Sequence, residues 1–261
     1  MCRGYLSRIE SPSVLEIGTD RGQTTLPLLH RLIYQHGERG RGDGFRYTGV
    51  DIKLRDEMLS AVEQFCEIYC INHEAAAKGM ANPSLTKHQT VVLSEHEAQS
   101  HLNQVRFYQR NSLDWLKDPG LVKRGDKFDL ILLDGDHNYY TVSRELALLE
   151  SFMKPHSIVV IDDFNGKWGT RDMWYAEKDD YRANERATQP PIQRVEKQGV
   201  QNAVLDFITQ ANQPYSLLIP NQQSEPAILY RNDILTLDWE VRNGGWSSCN
   251  LLVTGPKPKS S

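Results

Sequence analysis

The chain has 261 residues, 39% of them hydrophobic and 25% charged, with a formal net charge of −4. That is enough chain to bury one sizeable α/β core. The mild negative charge, without a block of like sign, argues against an extended surface for nucleic acid or anionic membrane. No apolar run approaches the roughly 18 residues of a membrane span, and a core strand is reached by Val14, which leaves no room for a leader peptide. A cytoplasmic protein is therefore expected. Cys2, Cys66, Cys70 and Cys249 contain no CxxC pair. Cys66, Cys70 and His73 fall at helical spacing, but buried free thiols explain them better than a zinc site lacking a fourth ligand.

In chain order, Ser13-Val-Leu-Glu16-Ile-Gly18 reads as a short strand entering the turn Thr19-Asp20-Arg21-Gly22. Leu26, Leu29 and Ile33 then keep helical spacing, with Pro27 in the first turn, where a missing N–H costs little. A glycine-rich loop (Gly37 to Gly44) leads to a strand over Phe45–Val50 ending at Asp51. Leu54, Met58, Ala61, Val62, Phe65 and Tyr69 predict one long amphipathic helix. The polar stretch near 79–103, broken by Asn82-Pro83, reads as an insertion, with a short strand at Thr90–Leu93. Gln104–Gln109 is a third strand ending at Asn111-Ser112, and Leu113–Leu116 opens a short helix.

Leu130–Leu133 and Ile158–Ile161 are apolar runs that stop on carboxylates, as strands buried on both faces of a parallel sheet do. Between them Val142, Leu146, Leu149 and Met153 keep the register of a helix packed on a sheet. Residues 165–193 are polar and aromatic, with Trp168, Trp174, Tyr175 and Tyr181, and form a second insertion suited either to an acceptor-site lid or to packing. A helix around Val200–Thr209 precedes strands at Tyr215–Ile219 and Ala227–Tyr230, expected to pair antiparallel at the far edge of the sheet. The tail near 254–261 should fray. This alternation predicts one doubly wound α/β domain over 1–261.

All five leading strands end on polar residues or glycine: Glu16/Gly18, Asp51, Asn111/Ser112, Asp134/His137 and Asp162/Asp163. Ligands of open α/β sheets bind beyond such strand ends. The glycine spacing G-x-x-x-G departs from G-x-G-x-x-G, which disfavours a nicotinamide-dependent oxidoreductase, while Asp51 is placed to accept both hydroxyls of a ribose. Asp162-Asp163 alone would suit an Asx-type turn; joined to Asp134 they supply oxygen ligands for a hard cation such as Mg²⁺. His137, three residues after Asp134, could take a proton as a base, since an imidazole ordinarily titrates near neutral pH. Asp136 could be a fourth ligand but reads better as solvated.

Val14-Leu-Glu-Ile-Gly-Thr-Asp-Arg-Gly22, Gly49-Val-Asp51, Asn111-Ser112 and Phe128-Asp-Leu-Ile-Leu-Leu-Asp134 together resemble the successive motifs of class I S-adenosylmethionine-dependent methyltransferases. Asp134-Gly-Asp-His137-Asn-Tyr with Asp162-Asp163 is similar to metal-dependent O-methyltransferases of the macrocin type and to the cephalosporin-hydroxylase-like group. The resemblance implies a seven-stranded, mainly parallel Rossmann-like sheet with an antiparallel final strand. It implies that the loop Glu16, Gly18, Thr19, Asp20, Gly22 and Thr24 holds the methionine moiety of S-adenosylmethionine, Asp51 the ribose and Asn111-Ser112 the adenine. Asp134 lies beside that site, and Asp134, Asp162 and Asp163 match the metal ligands, with His137 as base. The implied cofactors are S-adenosylmethionine and Mg²⁺ or another divalent cation, and the partner a small hydroxylated acceptor such as a sugar or natural-product glycoside. No nucleic-acid or membrane partner is expected; the oligomeric state, homo-oligomers included, stays open. A non-catalytic cofactor-binding protein of this fold is the alternative. Many relatives cover the cofactor with N-terminal helices, whereas here about a dozen residues precede the first strand.

Overall fold

The computed structural model describes residues 6, 9–33, 44–63, 68–71, 103–192, 196–220, 226–231 and 250–254, in two compact units, Met1–Trp115 and Leu116–Ser261. The first carries β1 (Ser13–Ile17), α1 (Thr25–Leu32), β2 (Phe45–Asp51), α2 (Asp56–Glu63), β3 (Ile68–Ile71) and β4 (Asn103–Gln109). Its strands run β3-β4-β2-β1 and every pairing is parallel. All five residues of β1 are buried, as expected of a strand covered on both faces. Leu29 and Leu32 of α1 and Met58, Leu59 and Val62 of α2 supply apolar cover.

A short helix α3 (Ser112–Leu116) ends at the boundary between the units. The second unit follows with α4 (Pro119–Arg124), β5 (Phe128–Leu133), α5 (Tyr139–Leu149), β6 (Met153–Ile161), α6 (Gly199–Gln210), β7 (Tyr215–Ile219), β8 (Ala227–Arg231) and β9 (Asn250–Thr254). Its strand order is β5-β6-β8-β7-β9. The β5–β6 pair is parallel, and β8 runs antiparallel to both β6 and β7. The seven strands expected besides Thr90–Leu93 all form, with the last of them, β8, antiparallel, and β3 and β9 are additional among the described residues.

Several boundaries differ from expectation. The helix projected through Tyr69 stops at Glu63 within the described residues, and Tyr69 and Cys70 lie in β3. Ile68-Tyr-Cys-Ile71 is β-branched and aromatic, a composition that favours extended pairing once a neighbouring strand is available. The helical spacing proposed for Cys66, Cys70 and His73 fails at Cys70, and the other two lie outside the described residues. Met153 begins β6 instead of ending α5, because Pro155 disfavours helical backbone just before it. The β7–β8 pair is not at an edge, since β9 pairs with β7. Phe65, most of the 79–103 insertion with its Thr90–Leu93 strand, most of the 37–44 loop and the tail beyond Thr254 lie outside the described residues. Among the described residues no helix is long and apolar enough to cross a membrane.

Candidate active site

In the first unit, the end of β1 is held by chemistry from β2. Gly18 donates its N–H to the Val50 carbonyl at 2.9 Å, continuing the parallel ladder one residue past the strand. The chain then turns sharply, with φ of 87° at Gly18, 32° at Asp20 and 80° at Gly22. Positive φ is cheap for glycine and tolerable for aspartate, which explains the residue types. Asp51 at the end of β2 sets this turn. Its Oδ2 accepts the backbone N–H of Thr19 at 2.8 Å and of Asp20 at 2.9 Å, plus the Thr19 hydroxyl at 3.4 Å. Its Oδ1 accepts the Lys53 N–H at 2.8 Å. Burial raises the Asp51 pKa, opposed by those backbone N–H groups. Asp51 therefore shapes the glycine turn in addition to the ribose contact expected of it.

Glu16, two residues before the turn, is 1% exposed. The Tyr47 hydroxyl donates to its Oε2, and that hydroxyl also reaches Thr25 Oγ1 at 3.4 Å. Burial pushes the Glu16 carboxyl up to about 7, against the lowering effect of the Tyr47 and Thr25 hydrogen bonds. Asp20 is exposed and pairs with Arg55 at 3.2 Å, and Thr24 is exposed ahead of α1. Asn111 Oδ1 accepts from the N–H groups of Leu113 at 2.9 Å and Asp114 at 3.4 Å, so its side chain starts α3, with Ser112 as the first helical residue. Tyr47 was not foreseen. The signal for it is its place on β2, two residues before the position paired with Glu16.

In the second unit, β5 and β6 pair Leu133 with Ile161, so Asp134 and Asp162 are the next residues in register; the Asp162 N–H still reaches the Leu133 carbonyl at 3.0 Å. One step on, Asp163 adopts φ of 54°. This conformation turns its carboxylate onto His137, and Nδ1 of the imidazole stands 2.9 Å from Asp163 Oδ2. Gly166 makes the turn feasible, because a Cβ there would collide with Asp163 Oδ1. Burial works against a charge on His137. The Asp163 hydrogen bond and the charges of Asp163, Asp134 and Asp162 outweigh it and hold the imidazole above its usual pKa. With Nδ1–H donated to Asp163, Nε2 is the nitrogen left to accept a proton.

Asp136 differs from the solvated residue expected. It is half-buried, its Oδ2 accepting the Thr141 hydroxyl at 3.0 Å and its Oδ1 the Tyr175 N–H at 3.4 Å. The 165–193 insertion returns to this point. The Met173 N–H donates to the His137 carbonyl at 2.9 Å, and the Tyr175 ring lies 6.0 Å from the imidazole. Trp174 is buried against Tyr140, ring centroids 5.9 Å apart, and serves packing.

The donor set Asp134, Asp162 and Asp163 is all oxygen and thrice negative, which suits a hard divalent cation. Among the described residues, however, no three His, Cys, Asp or Glu side chains converge as ligands. In this arrangement Asp163 gives one oxygen to the imidazole instead.

In the first unit a parallel sheet carries a glycine turn after β1 and an acid ending β2, the Rossmann-like arrangement whose strand ends face ligands; in the second unit β5 and β6, also parallel, are each followed by a carboxylate. Residues 15–164 match the methyltransferase domain family over more than half of the chain, and the chain belongs to that family. No curated protein matches the sequence. The solved structures similar to it include the methyltransferase of the mycinamycin biosynthetic pathway in complex with Mg and SAH (16% identity over 90% of this chain and 49% of that one, TM-score 0.42). They also include the TDP-rhamnose 3'-O-methyltransferase of calicheamicin biosynthesis (14% identity, 87% and 75%, TM-score 0.45). A third is a SAM-dependent methyltransferase from Methanosarcina mazei (15% identity, 87% and 93%, TM-score 0.36). The chain spans about half the length of the mycinamycin enzyme.

Proposed function

We propose that this methyltransferase transfers its methyl group to a hydroxyl oxygen of a small molecule, with His137 as the general base and Asp163 as the residue that orients it. The observation that carries the reading is the 2.9 Å contact of His137 Nδ1 with Asp163. It fixes the ring and its tautomer, leaving Nε2 to take the acceptor proton. A base so positioned typically contributes 10²–10⁴-fold to rate. Bound S-adenosylmethionine supplies an electrophilic methyl on a sulfonium, needing no further activation from the protein.

The residues of the first unit suit holding that donor. The turn from Gly18 to Gly22 allows close approach to the backbone, the buried Glu16 precedes it, Thr19 lies within it, Thr24 leads into α1, and Asp51 braces it. Asn111 and Ser112 open α3 on the adenine side. Asp134, Asp162 and Asp163, which do not converge in this arrangement, would have to draw together to hold a divalent cation, Mg²⁺ or a similar hard ion, as the metal-dependent O-methyltransferases that the motifs resemble do. Such a cation, when bound, lowers the pKa of a coordinated hydroxyl. Sugars and natural-product glycosides are the acceptor class that the same resemblance favours, and a cytoplasmic setting without nucleic-acid or membrane partners accords with the charge pattern. The test is transfer of radiolabelled methyl from S-adenosylmethionine to a panel of sugar and phenol acceptors, with and without EDTA. Label in the hydroxyl position that His137→Ala abolishes supports the reading, whereas label appearing only on nitrogen or carbon acceptors overturns it. Undiminished transfer in EDTA refutes the cation's role alone.

A further inference from the structure

We propose that Asp172 is a positioning residue for His137: one of its carboxylate oxygens ties the start of α5, and the start of α6, to the segment that holds the His137 backbone. The proposal rests on His137 being the base. His137 precedes Asn138, which caps α5 by accepting the Thr141 N–H at 2.7 Å. The next residue, Tyr139, donates its N–H to Asp172 Oδ1 at 2.8 Å. The same oxygen accepts the Gly199 N–H at 2.8 Å. Met173, next to Asp172, donates to the His137 carbonyl, and the two residues form an isolated antiparallel bridge. Residues 137–139 and 172–173 thus clasp each other at two rungs, with Asp172 making the second.

The first amides of a helix have no partner inside it. On α6 the Gln198 side chain provides no cap. The amides of Gly199, Val200 and Gln201 are instead taken by Asp172, the Trp168 carbonyl at 3.1 Å and the Gly169 carbonyl at 2.9 Å. An anionic oxygen also suits the positive ends of two helices. The 168–173 segment is therefore not a loose lid: it is lashed to α6 along one side and to His137 along the other. Asp163 fixes the imidazole through Nδ1, and Asp172 fixes the backbone from which the imidazole projects. A base needs both, since productive geometry tolerates only about 0.5 Å of error. Misplacement of about 1 Å can cost 10² in rate.

The test is NMR on the full chain labelled with ¹⁵N in its histidine rings, in the presence of SAH. Wild type should show a His137 Nδ1–H signal protected from solvent exchange, identified by its loss in His137→Gln. Asp172→Ala should lose that signal or shorten its exchange lifetime at least tenfold, with SAH affinity by calorimetry unchanged within twofold. Asp172→Asn should restore it, because a single amide oxygen can accept both N–H groups. An unchanged signal in Asp172→Ala, or no restoration by a folded Asp172→Asn, overturns the proposal. Should Asp172→Ala not fold, Asp172→Glu keeps the charge at both helix ends but lengthens the reach. It is expected to shift the His137 signal, and an unshifted signal there refutes the proposal equally. None of these measurements uses methyl transfer, so their failure is separate from a failure of the base assignment.

Discussion

Glu16 offers a quantitative check on the cofactor half of the site. Its carboxyl rises from an ordinary 4.5 to about 7 because burial disfavours its charged form. The folded protein therefore keeps this proton to a higher pH than the unfolded chain does. Between pH 4.5 and 7 the unfolded state has lost the proton while the folded state retains it, so stability falls as pH rises through this window and levels off above it. At about 1.4 kcal/mol per pH unit the interval amounts to about 3 kcal/mol. Glu16→Gln mimics the protonated acid and leaves an amide oxygen to accept from Tyr47. Guanidinium unfolding of both proteins from pH 4 to 8 isolates the contribution of this one group. Wild type should lose about 3 kcal/mol relative to the variant across that range. Parallel stability curves would refute the buried Glu16–Tyr47 pair with its raised carboxyl pKa.

Three further outcomes follow from the geometry. Asp51→Ala removes the acceptor for the N–H groups of Thr19, Asp20 and Lys53, so the glycine turn should loosen. SAH affinity by calorimetry should fall at least tenfold, on the order of one to two such charged hydrogen bonds; unchanged affinity would show that the turn holds its shape without Asp51. Gly166→Ala places a Cβ against Asp163 Oδ1 and should displace the carboxylate from His137. Methyl transfer should drop at least tenfold with SAH binding intact, and full activity would contradict the orienting role of Asp163. Asp136→Ala removes the acceptor shared by Thr141 and Tyr175 and should lower the melting temperature by several degrees, on the order of 1–3 kcal/mol for the buried donors left behind. An unchanged melting temperature would return Asp136 to the solvent-exposed role that its sequence context suggests.

The strand ends were legible because buried apolar runs that stop on carboxylates leave few structural alternatives. Ser13–Ile17, Phe45–Asp51, Phe128–Leu133 and the end of β6 all form where the pattern places them. The helix α4 was missed although its signals are local: Asp118 accepts the Gly120 N–H, Pro119 occupies the first turn, and Gly125 closes it at φ of 67°. Strand β3 could not be separated from α2, since a short apolar run suits either element until a partner strand is known. Within the site, the types of the residues were readable but their partners were not. Asp163 reads as a turn residue by itself and as a ligand beside Asp134, and nothing in its sequence context announces its φ of 54° or its contact with His137. Asp136 looked solvated because nothing in Asp134-Gly-Asp-His announces that Tyr175, 39 residues away, will return to it. Asp172 carried no signal at all, because its role depends on two helix starts that meet only in the folded chain.

The most direct measurement of the central claim is the rate of methyl transfer from radiolabelled S-adenosylmethionine to hydroxylated small molecules, wild type against His137→Ala, at matched SAH affinity. The account predicts equal SAH binding and a loss of transfer on the order of 10²–10⁴-fold in the variant. Transfer by His137→Ala at the wild-type rate would contradict it.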